Sequence, residues 1–174
     1  MKIYITGSVG SGKSTLARQI SQITGIPCHG LDELVHIPDP AAQSWNSYRP
    51  IEERDAMFTE ILSQNDYIIE DVGRGCFLEG MRRADAVILL DMPPLVRRKR
   101  IVLRWIRQRL GIERCAYRPS FEMLKAMFKW AKNYDTGADE LKYRVEMFHE
   151  KAIILRSNRE IKRYLERIKN AVST

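Results

Sequence analysis

The sequence predicts an α/β fold, a three-layer sandwich whose five-stranded parallel sheet is covered by helices on both faces. Three observations predict it. Short apolar, β-branched runs alternate with helical patterns along the 174 residues, as in parallel sheets buried on both sides. A glycine-rich octapeptide, Gly7-Ser8-Val9-Gly10-Ser11-Gly12-Lys13-Ser14, separates the first run from the first helical pattern. The composition, 44% hydrophobic and 29% charged, is ordinary for a globular chain, and the length suits one domain over residues 1–174.

The elements follow in order. Residues 2–6, Lys2-Ile3-Tyr4-Ile5-Thr6, are β-branched and aromatic and form the first strand. Leu16, Ile20 and Ile23 share one face of a helix over about 13–24. A short second strand lies around Ile26–His29, ending at Gly30-Leu31-Asp32. Residues 37–50 contain Pro38, Pro40 and Pro50 and read as a loop. A helix over 51–64 precedes a third strand, residues 66–71, and a short helix covers 76–83. Residues 86–91 form the fourth strand. No strand signal appears between Pro94 and Phe148, where helices at 94–110, 119–134 and 137–149 are expected. Residues 152–155 form the fifth strand and 158–170 a final amphipathic helix.

The octapeptide matches G-x-x-x-x-G-K-[ST], and its place between strand and helix is the one that its chemistry needs. Glycines allow backbone N–H groups to close on phosphates without a Cβ in the way. The helix start adds free donors and partial positive charge. The reading is a P-loop NTPase sandwich in which Gly7, Ser8, Gly10, Ser11, Gly12, Lys13, Ser14 and Thr15 hold the phosphates of ATP. Lys13 supplies the mobile cation, and Ser14 is the expected Mg²⁺ ligand.

Three further constellations bear on the reaction. The third strand ends in Glu70 and Asp71, and acids at that position beside a P-loop can hold magnesium-bound water; at least one of the two is expected to do so. Arg97, Arg100, Arg104 and Arg107 recur at spacings of three and four, on one helical face, with Val96, Leu103, Ile106 and Leu110 on another. Phosphoryl transfer depends on such cations, because negative charge spreads over the transferred group. On the acceptor side, Asp32, Arg49, Arg54 and Arg74 stand where an anionic substrate could approach.

Charge is uneven. Residues 1–70 carry 5 Lys/Arg against 9 Asp/Glu, and residues 71–174 carry 24 against 13. A polyphosphate or a nucleic acid would suit that basic half. No run of 18 apolar residues indicates a membrane span. No signal-peptide pattern opens the chain. The isolated Cys28, Cys76 and Cys115 suggest free thiols in a reducing compartment, so the cytoplasm is the expected location. His29, His36 and His149 lack metal spacing.

On these residues the chain resembles the adenylate-kinase branch of P-loop nucleoside monophosphate kinases, and more narrowly the bacterial DNA topology modulation (FlaR-related) proteins. Gly7–Ser14, Gly25-Ile26-Pro27 and Leu31-Asp32-Glu33-Leu34 match their segments. Asp91-Met92-Pro93 with Arg100 and Arg104 resembles the D-x-P…R-x-x-x-R pattern that opens the kinase lid. The resemblance implies that Arg100 packs on adenine and Arg104 reaches the phosphates. It also implies that Arg74 meets the acceptor phosphate and that the segment containing Ser157 meets the adenine edge. The resemblance carries the strand order 2-3-1-4-5 and an enlarged helical lid over about 94–149, with aromatic residues serving mainly the lid's own packing. Glu70-Asp71-Val72-Gly73-Arg74 departs from the family's D-G-x-P-R, and His36 stands near its usual AMP-gripping arginine. Asp32 also sits where shikimate-type kinases place an acid near metal and acceptor.

The expected function is therefore an ATP- and Mg²⁺-dependent small-molecule kinase, with Lys13, Arg100 and Arg104 in catalysis. Its acceptor is a nucleotide or similar small anion met by Asp32, Arg54 and Arg74. The expected metal set is Ser14, Glu70 and Asp71. A nucleotide-regulated, DNA-associated protein is the second reading, without a recognised DNA-reading motif, and a bare ATPase the third. The expected assembly is a monomer or homodimer.

Overall fold

The computed structural model describes residues 1–113, 115 and 117–172. Arg114 and Ala116, inside the expected lid, and Ser173 and Thr174, at the end of the expected domain, lie outside the described residues. Strand β1 (Lys2–Gly7) leads through the glycine loop into α1 (Lys13–Thr24), and β2 (Cys28–Gly30) is followed by one turn of helix, α2 (Asp32–Val35). Two short strands, β3 (His36–Pro38) and β4 (Asn46–Tyr48), precede α3 (Ile51–Ser63) and β5 (Tyr67–Asp71). A 3-10 turn (Gly75–Phe77), α4 (Leu78–Arg83) and β6 (Ala86–Leu90) come next. The chain ends with α5 (Pro94–Arg109), α6 (Phe121–Thr136), α7 (Leu141–Glu146), β7 (Ala152–Leu155) and α8 (Asn158–Val172).

The main sheet has five parallel strands in the order β2-β5-β1-β6-β7. Counted over all strands, this is 2-5-1-6-7 rather than the expected 2-3-1-4-5. The difference in numbering comes from β3 and β4, which form a separate antiparallel hairpin within the stretch expected to be loop. Three-residue strands, one of them ending in Pro38, carry too little alternation to be read from sequence.

β1 is central, with Ile3, Ile5, Ile68, Ile88 and Leu90 facing α1 and α8, while Tyr4, Tyr67, Ile69, Val87 and Leu89 face the other layer. Successive side chains of a strand point to opposite faces, so each strand feeds both cores. A third, smaller core joins α5 to α6 through Ile101, Met127 and Ala131, and Val9 of the glycine loop packs against it.

Part of the stretch expected to form a lid is built into the main core. Tyr134, Leu141 and Val145 are buried in the main core beside Tyr4 and Leu31, so the end of α6 and all of α7 close one face of the sheet. The aromatic residues divide accordingly: Tyr134 is core, whereas Trp130 and Tyr143 are exposed. Helix α5 also turns the other way round. Its apolar face, with Leu103, Ile106 and Leu110, is exposed, and Arg97, Ile101 and Gln108 are buried. That orientation brings Arg97 and Ile101 against the glycine loop, where the α5 backbone leaves no room for a larger residue than Gly10.

Candidate active site

The glycine loop joins the carboxyl end of β1 to α1. Gly10 has φ +74°, and a Cβ there would stand 2.8 Å from the Arg97 carbonyl oxygen. Only glycine accepts both that backbone and that contact. Gly12 precedes α1 without a side-chain cap, and no acid stands in the first helical turn. The N–H groups at the helix start are therefore left open to an anion, with the dipole aligned to favour it. The Ser11 hydroxyl is buried beside Gly7 and has no hydrogen-bond partner among the described residues. The loop thus fits a polyphosphate on its own geometry.

Lys13 lies across this loop and donates to the Ser8 carbonyl at 3.2 Å. Burial lowers its pKa, opposed by the carboxylates of Glu70, Asp32 and Asp71. The Ser14 hydroxyl donates to Glu70 at 3.0 Å. Burial raises the Glu70 pKa, against the opposing pull of Lys13 and of the Ser14 hydroxyl. Hydroxyl and carboxylate oxygens side by side suit Mg²⁺, which takes few protein ligands and fills its shell with water and phosphate oxygens. Among the described residues, no group of three His, Cys, Asp or Glu side chains forms a metal cage.

Asp71 is occupied otherwise. One of its oxygens accepts from the Gly73 and Arg74 amides, at 2.7 and 2.6 Å, and from the Tyr4 hydroxyl at 3.2 Å. The other meets the Arg74 guanidinium. Asp71 is therefore committed to shaping the turn that aims Arg74, and of the two strand-end acids Glu70 is the one that faces the phosphate loop. The second arm of Arg74 reaches Asp32. At Asp32, burial acts upward but the Arg74 charge and hydrogen bond, with Lys13 and His36, outweigh it and hold the pKa below the ordinary value.

A family model described as an AAA domain matches residues 3–116. The chain belongs to this AAA-domain family of P-loop NTPases. A comparison with curated proteins finds no match. Among solved structures, shikimate kinase from Bacteroides thetaiotaomicron aligns with a TM-score of 0.54 at 18% identity, over 100% of this chain and 99% of that one. Deoxyadenosine kinase from M. mycoides with bound dATP aligns with a TM-score of 0.51 at 16% identity, over 100% of both chains. A gluconokinase from Sinorhizobium meliloti aligns with a TM-score of 0.50 at 14% identity, over 99% of this chain and 95% of that one. These likenesses place the fold among those of P-loop kinases.

In this AAA domain the arginines of α5 separate by role. Arg100 donates to the Ser11 carbonyl at 2.7 Å and to Asn158 at 2.9 Å. It borders an open pocket of about 440 Å³ with Gly12, Thr15, Gln19, Asn158 and Lys162. Arg104 extends from the surface, pairs with Glu113 at 3.1 Å, and stands near enough to Lys13 to depress its pKa further, after burial. Ser157 caps α8 by accepting from the Glu160 amide at 3.2 Å, and its neighbour Asn158 lines the pocket. Arg54 lies over the Phe77 ring at 5.7 Å and pairs with Asp55. Arg49 is tied to the Leu34 carbonyl at 2.9 Å and to Glu53, which makes it a brace for α2.

Sequence reasoning missed the buried role of Arg97, which it grouped with its neighbours on α5, and missed Arg144 altogether. Arg97 is 1% exposed and gathers the Met92 carbonyl at 2.9 Å, the Ser8 hydroxyl at 3.1 Å and Asp135. Its period matched that of its neighbours, so nothing in the sequence separated it from them. Arg144, on α7, reaches the Gly75 turn just after Arg74, and its Nε is buried without a partner. Gly73 explains that approach. At φ +87° its Cβ would stand 2.1 Å from Leu141, so α7 rests directly on this turn. No sequence pattern linked position 144 to position 75.

Proposed function

We propose that this AAA domain is an ATP-dependent small-molecule kinase that transfers the γ-phosphoryl group to a nucleotide or similarly small anionic acceptor. One observation carries the reading. The phosphate loop with Lys13, the Ser14–Glu70 oxygen pair and the Asp32–Arg74 pair converge at the carboxyl ends of β1, β2 and β5. Open α/β sheets bind their ligands there. A loop serving ATP alone needs no arginine–acid pair on its far side.

Each residue then has a task. The amides of Gly10 to Thr15 hold the phosphates, and the Arg100–Asn158 pocket takes the base. Ser14 and Glu70 are the groups that would hold Mg²⁺, which when bound would share the charge of the phosphates. Lys13 and Arg104 neutralise charge that spreads onto the transferred group. Arg74, Arg54 and Arg144 attract the acceptor's anionic group, and Asp32 orients its hydroxyl or phosphate oxygen. The names of the fold neighbours, shikimate kinase, gluconokinase and deoxyadenosine kinase, agree with small acceptors. The resemblance to adenylate kinases and topology modulation proteins favours a nucleotide, and Asp32 favours an acceptor with a free hydroxyl. Excluding water favours transfer over hydrolysis. The β3–β4 hairpin is tied to the chain between α5 and α6, where its Ser44 carbonyl accepts from the Arg118 amide at 3.0 Å.

The test is ADP release from Mg·ATP with a panel of nucleoside monophosphates, nucleosides and anionic hydroxy acids. The expected result is release above background with one class, and at least about 10²-fold slower turnover in Lys13→Ala. Parent-level transfer by Lys13→Ala, or no acceptor-dependent release with any compound, would overturn it.

A further inference from the structure

A second pocket, of about 490 Å³, opens at the carboxyl ends of β6 and β7 among the start of α5, the end of α6 and the start of α7. No step above uses it. Its wall carries Asp91, Arg97, Arg98, Asp135, Lys142 and Arg156. The charges do not balance. Asp135 is taken by Arg97, which is buried at the pocket floor. Asp91 accepts the Tyr134 hydroxyl at 2.7 Å and is then shared, with Lys142 Nζ at 3.3 Å and Arg156 Nε at 3.7 Å. Arg98 has no ion-pair partner among the described residues. Four cations, from α5, α7 and the turn after β7, thus face two carboxylates around a space of ligand size.

We propose that this pocket binds a small phosphate-bearing anion, held by Arg98, Lys142 and Arg156. Guanidinium forks and a mobile ammonium are the donors that match phosphate oxygens. The single charge of Asp91 is shared by two cations, Lys142 at 3.3 Å and Arg156 at 3.7 Å, so each keeps donors for an anion. Burial and the bond to Asp91 raise the Tyr134 pKa far above the ordinary value, so that phenol remains a donor throughout the physiological range. The site is separate from the phosphate loop and does not rest on the kinase reading.

The experiment is an amide and side-chain nitrogen NMR titration of the full chain with inorganic phosphate and, separately, with glycerol phosphate. Saturable shifts are expected at Asp91 and Arg156. The double variant Arg98→Glu/Lys142→Glu should need at least tenfold more ligand to reach them. Phosphate loading of the glycine loop is read independently at Gly10 and Gly12, where the variant should respond like the parent, which also verifies its fold. Tighter binding of one probe than the other identifies the occupant as free phosphate or a phosphate ester. No saturable shift at Asp91 and Arg156 in the parent, or an unchanged titration at Asp91 in a folded variant, would overturn the proposal.

Discussion

Glu70 is placed where folding and metal binding make opposite demands. Burial favours its protonated form, and the raised pKa means that the folded protein holds this proton more tightly than the unfolded chain. Its contribution to stability is thus fully present below the ordinary carboxylate range and is lost as pH rises through the raised folded value. Glu70→Gln removes that dependence. The parent's thermal stability, measured against the variant's from acid to neutral buffer, should fall as pH rises, while the variant loses magnesium-dependent activity. A parent that gained on the variant over that range would contradict the assignment. Asp32 has the opposite sign, since its lowered pKa gives stability that is lost on acidification, and it is common to both proteins and cancels. The sequence showed that a strand ended in two acids. It could not divide their roles, because that division depends on a turn whose amides claim Asp71.

At the level of elements, α7 is where pattern and structure diverge most. No strand signal appears in the sequence between Pro94 and Phe148, and the resemblance to lid-bearing kinases made that stretch one helical lid. Yet Leu141 is 1% exposed, against the turn that carries Arg74. Leu141→Ala should cost about 2–5 kcal/mol by denaturant unfolding, as core truncations do, and weaken acceptor binding as Arg74 loses its support. Leu95→Ala, on the exposed side of α5, should stay within about 0.5 kcal/mol of the parent. Equal effects from the two would make α7 a peripheral lid after all. Helical periodicity shows that a face is apolar but does not name the surface that it meets. For the same reason the arginines and leucines of α5 could be separated onto two faces, and the buried face still had to be seen.

Across the whole molecule, Arg97 links parts far apart in sequence: the turn after β6, the phosphate loop at Ser8 and α6 at Asp135. Its guanidinium also stands over the Tyr134 ring at 5.0 Å. Arg97→Met keeps much of the volume and removes every one of these ties. The expected loss is about 3 kcal/mol, the lower range for breaking a buried ion pair, because Asp135 keeps some access to water. Calorimetric titration with Mg·ATP should also show weaker binding, since Ser8 is released. Stability within about 0.5 kcal/mol of the parent would show that the tie is dispensable.

The nucleotide side of this protein is local in sequence. Strand, glycine loop and helix start are contiguous, and backbone amides do the binding, so eight residues state that chemistry before any long-range contact is known. The parallel sheet was equally plain, because strands buried on both faces need long apolar runs. The proposed acceptor side is assembled from α2, the turn after β5, α3 and α7, and the contacts of Asp71 and Arg144, like those of Arg97 on α5, arise only where distant pieces touch. A charged side chain in a helix reads alike whether it faces water or another segment. Its partner, supplied by packing of distant elements, decides which.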